Sequence, residues 1–203
     1  MVTVLLVRHA TCDHVGRLIA GRAAGVSLNA EGRAEAERLA DALCPMRIDA
    51  VYSGPLDRAM DTARLLAGRV GLPVRPAPGL DEMDFGQWTG RTLASLDHDP
   101  TWQAFNQSRD STRIPGGELM AEAADRAMAE LARFEREHPN GLVAAVSHAD
   151  VIRGVLLRCL GLSLDCVHRL TVAPASVSAV RLFDAGAQVV SLNWLVGQPA
   201  WES

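Results

Sequence analysis

Apolar positions follow two different rhythms along the chain. Unbroken runs at Val4–Val7 and Leu142–Val146 read as strands buried on both faces. Elsewhere apolar residues recur at three- and four-residue spacing, as one face of a helix requires. Ala36, Leu39, Ala40 and Leu43 make one such stripe, and Leu56, Ala59, Met60, Ala63 and Leu66 make a second. Ala123, Ala127, Leu131 and Phe134 make a third.

In order, the pattern predicts a strand over Thr3–Arg8, then a glycine-bearing loop over Thr11–Leu28. A helix capped by Asn29 runs to Leu43, followed by a strand over Ile48–Ser53. Next come a helix over Leu56–Ala67, a short strand over Gly71–Arg75 and an acidic, glycine-containing loop over Asp81–Gly90. Short helices are expected over Thr92–Asp97 and Thr101–Gln107, and a long one over Leu119–Glu137. The strand Leu142–Ser147 leads to a helix over Asp150–Leu160. Ser176–Phe183 and Gln188–Leu192 flank a turn and read as a hairpin. The tail, with Trp194, Pro199 and Trp201, is expected to pack on the body or on a partner subunit, which leaves a homodimer open.

Strands alternating with helices imply an α/β fold with a mainly parallel sheet covered on both faces. The terminal hairpin adds an antiparallel edge. No internal repeat or linker interrupts residues 1–203, so a single domain is expected. Three strands then end on one rim and deliver Arg8-His9, Ser53 with Arg58, and His148. In open α/β sheets that C-terminal rim is where ligands bind. The acidic loop is long enough to fold across it.

Composition narrows the classes. Of 203 residues, 48% are hydrophobic and 22% charged, a globular balance. The net charge of −4 and the 4% aromatic content give no footing for nucleic acid or an anionic membrane. The most apolar region, Gly141–Leu164, is interrupted by His148, Asp150, Arg153 and Arg158 and does not read as a membrane span. No signal peptide is recognisable, so a cytoplasmic protein is expected. Cys12, Cys44, Cys159 and Cys166 have no CxxC spacing and read as reduced thiols.

The residues gathered on the rim suit a phosphoryl group. Arginine's planar fork matches phosphate oxygens, and helix N-termini near Pro55 and Ala149 would add backbone donors. His9 could attack phosphorus through a neutral ring nitrogen. Arg8, Arg58 and His148 could clamp the oxygens. Glu82, in competition with Asp81 and Asp84, could protonate the leaving oxygen. Cations around His9 would disfavour its protonated form, as a nucleophile needs. His9, His14 and His148 lack close metal-ligand spacing, so neither a metal nor another cofactor is expected.

Four blocks resemble the histidine phosphatase superfamily in its phosphoglycerate-mutase-like branch. They are Arg8-His9-Ala10, Ser53 to Thr62, Leu80 to Gly90, and Val146 to Arg153. The resemblance implies a three-layer α/β/α sandwich, needing no metal. It implies His9 as phospho-accepting nucleophile, Glu82 as proton donor, and Arg8, Arg58 and His148 as phosphate ligands. It also suggests that Gly21 and Arg22 border the substrate. Alanine stands at positions 10 and 149, where the family has glycine; this matters if the backbone there needs positive φ or close ligand approach. The modest interval from Phe85 to Ser147 and the Pro115-Gly116-Gly117-Glu118 turn resemble phosphatases more than mutases. The expected activity is hydrolysis of a small phosphorylated metabolite through a phosphohistidine. The alternative is a phosphomutase of the phosphoglycerate mutase type, and a non-catalytic binder of phospho-ligands is the third reading. Substrate choice is assigned to the loops Thr11–Leu28 and Trp88–Gly117, where Trp102, Phe105, Arg109 and Arg113 are candidates for a lid or for packing.

Overall fold

The computed structural model describes residues 1–197. At its centre, β1 (Val2–Arg8) has a neighbour on each side. The other strands are β2 (Ala50–Ser53), β3 (Val74–Pro76), β4 (Leu142–Ser147), β5 (Val177–Phe183) and β6 (Gly186–Trp194). The sheet order is β3-β2-β4-β1-β5-β6. The first four run parallel; β5 pairs antiparallel with β1, and β6 antiparallel with β5. Register places Arg8 opposite Ser147 and Ser53 opposite Val146, so three strands end level with one another. Their next residues, His9, Gly54 and His148, share one rim.

The alternation of side chains along β1 divides the core. Val2, Val4 and Leu6 join one apolar cluster, while Leu5 and Val7 join the other. On the second face lie α1 (Ala30–Leu43) and α2 (Asp57–Val70). On the first lie α5 (Met120–Glu137) and α6 (Ala149–Leu160), together with α3 (Leu93–Leu96) and α4 (Pro100–Gln107). Each strand of the central set thus reads as apolar throughout because each face has its own helical cover.

Element ends differ from the pattern for local reasons. The helix expected to stop at Ala67 continues to Val70, where Gly71 takes the left-handed conformation and ends it. The third strand therefore starts at Val74 rather than Gly71. β6 extends beyond the expected segment at both ends. Leu164–Arg169 forms a 3-10 turn that periodicity did not single out. Trp194 ends β6 opposite Val177 of β5 and is partly exposed; Pro199 and Trp201 lie outside the described residues. Among those residues no helix is long and apolar enough to cross a membrane.

Candidate active site

The rim opens into a cleft of about 230 Å³ lined by Arg8, His9, Gly21, Arg58, Glu82 and Asp150 among others. His9 follows β1 directly. Its backbone N–H donates to the Ser147 carbonyl, extending the β1–β4 ladder by one step. The side chain is buried, and its Nδ1 lies 2.8 Å from the Ala10 carbonyl oxygen. A carbonyl only accepts, so Nδ1 carries the proton and Nε2 holds the free lone pair. Burial, reinforced by the charges of Arg58 and Arg8, pushes the His9 pKa down to about 3.

Ala10 is itself fixed. Its N–H donates to Thr62 Oγ1 at 3.1 Å, and the Thr62 hydroxyl donates to the Arg58 carbonyl at 2.9 Å. One threonine on α2 therefore ties the segment after His9 to the helix turn of Arg58. Neither alanine at a family glycine position is strained. Among the described residues, positive φ outside glycine occurs at Asn140, Ala175 and Asn193. The Ala10 methyl packs in the second core, and Ala149 is the first residue of α6 on the cleft wall.

Arg58 lies in the first turn of α2 and is 1% exposed. It pairs with neither Asp57 nor Asp61. Its Nη2 donates to the Gly21 carbonyl at 2.8 Å and lies 3.9 Å from Glu82 Oε2. Its Nη1 is buried without a protein partner. Arg8 donates through Nη1 to the Val172 carbonyl at 2.7 Å and leaves Nε buried and unpartnered. A buried guanidinium nitrogen without an acceptor costs stability unless a ligand oxygen completes it. Both point to an anion.

His148 N-caps α6 and is fully buried beside His9. Its ring centroid is 5.2 Å from that of His9, and its Nδ1 is 3.7 Å from Glu82 Oε2. Both ring nitrogens lack protein partners, and burial holds the ring well below the usual histidine pKa.

The acidic loop separates its three carboxylates. Asp84 accepts from the Gly86 N–H, and Asp81 accepts from the Glu82 N–H and pairs with Arg22 at 3.3 Å. Glu82 alone lines the cleft. Burial raises its pKa to about 7 against the pull of Arg58, with Asp150 assisting the rise. Its main chain is clamped. Arg126 of α5 donates to the carbonyls of Gly79, Asp81 and Glu82 at 2.7, 2.7 and 2.9 Å. Arg22 adds a 2.8 Å bond to the same Glu82 carbonyl, and Glu118 joins both arginines. Glu118 also accepts from the Asp84 N–H at 3.0 Å. Ser147 at the end of β4 donates to the Leu80 carbonyl at 2.7 Å.

Of the residues expected at the substrate, Gly21 lines the cleft and Arg22 does not. Arg22 belongs to the clamp instead. Trp102 lines the cleft, whereas Phe105 is buried packing and Arg113 is an exposed partner of Glu122. Arg109 is buried over the Phe105 ring, 4.0 Å from its centroid. Sequence reasoning missed the triad it forms with Asp150 and Arg153. Asp150 Oδ2 lies 3.3 Å from Arg109 and Oδ1 3.0 Å from Arg153. Burial disfavours the charge on Asp150, but the two arginines outweigh it and hold the carboxyl below its usual range. Among the described residues no cluster of three potential metal-ligating side chains occurs.

A buried neutral imidazole, two arginines with open donors and a carboxyl of raised pKa define an enzyme of the histidine phosphatase and phosphomutase type. The chain belongs to the histidine phosphatase superfamily (branch 1), whose family model matches residues 4–195. It is 27% identical over 198 residues to phosphoserine phosphatase 1 of Hydrogenobacter thermophilus, covering 95% of this chain and 92% of that one. It is 33% identical over 187 residues to phosphoglycerate mutase-like protein 4 of Arabidopsis thaliana, covering 89% and 80%. The structure of a putative alpha-ribazole-5'-P phosphatase from Escherichia coli superposes with a TM-score of 0.84 at 26% identity, covering 98% and 99%.

Proposed function

We propose that this chain hydrolyses small phosphomonoesters through a phosphohistidine on His9, as one domain. The observation that carries the reading is the bond from His9 Nδ1 to the Ala10 carbonyl, which leaves Nε2 unprotonated on a ring that feels the charges of Arg58 and Arg8. Nε2 attacks phosphorus in line with the ester oxygen. The P–O bond breaks as the P–N bond forms, and Glu82 gives its proton to the departing alkoxide. Arg8 Nε, Arg58 Nη1 and a His148 nitrogen, each without a protein partner, bind the three equatorial oxygens. Ionised Glu82 then takes a proton from water as that water attacks the phosphohistidine. Phosphate leaves with its oxygens fully accounted for, and the histidine lone pair returns.

A pKa near 7 suits a group that must act first as acid and then as base. Relatives named as phosphatases support hydrolysis. Rapid quench with a labelled phosphomonoester tests it: an acid-labile, base-stable label on His9 followed by free phosphate is expected. Label passing to a second hydroxyl makes the chain a mutase. Ligand binding without label or turnover makes it a binder only.

The net charge of −4 supports the reading that no nucleic acid is a partner, and free cysteines suit a cytoplasmic setting. For a homodimer, which the sequence leaves open, the exposed Val190, Leu192 and Trp194 on edge strand β6 offer a candidate surface. Sedimentation showing only monomer removes it.

A further inference from the structure

The loop after His9 and the segment after the acidic loop are joined edge to edge. The Ile19 N–H donates to the Arg91 carbonyl at 2.9 Å, and Gly90 N–H to the Ile19 carbonyl at 2.8 Å. Leu93 N–H donates to the Arg17 carbonyl at 3.2 Å, and Leu18 bridges antiparallel to Thr92. This pairing sets Leu18, Ile19 and Leu93 together on the cleft wall. Phe85 and Trp102 complete it. Trp102 is held edge-on to the fully buried Trp88, with ring centroids 5.2 Å apart. Leu93 remains 37% exposed, so an apolar side chain is kept open to solvent at the mouth of a polar site.

The cation beside the wall is already paired. Arg153 also lines the cleft, but it donates to Asp150 at 3.0 Å and to the Leu170 carbonyl at 2.9 Å. Asp150 lines the cleft beside it, so a substrate carboxylate brought to Arg153 would meet an anion as well. The cationic groups with buried, unpartnered donors are Arg8 and Arg58 at the floor, where the phosphoryl group takes them. Cys12 and His14, whose Nδ1 is buried without a protein partner, are the remaining ionisable side chains of the cleft lining.

We infer that the alcohol half of the substrate is apolar, packing on Leu18, Ile19, Phe85, Leu93 and Trp102, and carries no carboxylate. This rests on the phosphomonoester reading of the floor. Displacing water from such a wall favours an apolar body by about 10- to 100-fold over one bearing a carboxylate.

Binding and turnover test it separately. On His9→Ala protein, which cannot be phosphorylated at that position, calorimetry compares benzyl phosphate with phosphoserine and 3-phosphoglycerate. Benzyl phosphate is expected to bind at least about tenfold tighter. On the active protein, Leu93→Asn should reduce the benzyl-to-methyl phosphate ratio of kcat/KM about tenfold, with the fold checked by circular dichroism. Equal or tighter binding of either carboxylate ester overturns the inference, as does an unchanged ratio in Leu93→Asn. Failure of His9 to acquire label from any ester overturns the hydrolytic reading instead, while the binding comparison still decides the substrate class.

Discussion

Arg126 holds Glu82 by its main chain, donating to the Glu82 carbonyl at 2.9 Å. The same guanidinium spans two further carbonyls and Glu118, so one side chain fixes the stretch from Gly79 to Glu82. Replacing it with leucine should lower kcat about 10- to 100-fold, because a misplaced acid loses most of its effect. Lysine, a single point charge, should restore only part of this. Steady-state kinetics with the pH profile checks it. A positioning role requires the Glu82 limb to move, whereas simple loss of folded protein leaves the profile in place.

Glu82→Gln keeps the shape of the side chain and removes the proton. Hydrolysis of alkyl phosphates should fall about 10²–10³-fold. Transfer from p-nitrophenyl phosphate to His9 should fall far less, since that leaving group needs little protonation. Single-turnover measurements with both esters give the contrast, and an equal loss on both would remove Glu82 from the acid role.

The pH dependence has a definite sign. His9, with a pKa of about 3, is neutral throughout the ordinary range, so it contributes no acid limb above pH 5. In the proposed mechanism Glu82 must be protonated for transfer to His9, and its pKa is about 7. For alkyl esters kcat/KM should therefore decline as pH rises through that region. The hydrolysis of isolated phosphoenzyme should decline as pH falls through it. Opposite limbs for the two half-reactions are the expected result of pre-steady-state work across pH 5 to 9.

Histidine burial also sets acid stability. The folded pKa of His9 lies below its ordinary 6.5, so the unfolded chain binds an additional proton between pH 6.5 and about 3. That stability is fully present above 6.5 and is lost as pH falls towards 3. His9→Asn should therefore lose less Tm than the parent between pH 6.5 and 4, as thermal scans can show.

Asp150→Asn removes the shared partner of Arg109 and Arg153. The two arginines then lose their shared anion, and breaking such buried pairs typically costs about 3–5 kcal/mol. Because Asp150 helps to raise the Glu82 pKa, the basic limb for alkyl esters should also move to lower pH. Denaturant melts and the pH profile report the two effects independently.

The fold was legible because its signals are local. β1 and β4 are unbroken apolar runs, and α1, α2 and α5 have clear stripes, so the α/β class and the rim could be inferred directly. The pocket was legible through four short blocks whose residues occupy consecutive turns or strand ends. The clamp was not. Arg126 and Glu82 are 44 residues apart, and Arg22 and Glu118 are 96 apart. No periodicity links a loop arginine to a helix arginine through a turn glutamate. The sequence consequently places Arg22 at the substrate, whereas its guanidinium is held by Asp81, Glu118 and the Glu82 carbonyl. Gly32 is another silent constraint: a Cβ there would overlap the Thr11 carbonyl, just after His9.

The bond that orients His9 comes from the main chain of residue 10, not from a side chain. Exchange of glycine for alanine there leaves the acceptor in place. An exhaustive substitution scan would register packing losses at position 10 and would be blind to the carbonyl. Probing it requires changing the backbone itself, for example replacing the amide that follows residue 10 with an ester, which weakens the carbonyl as an acceptor. The group that decides which nitrogen of His9 carries the proton is therefore encoded by no codon in particular.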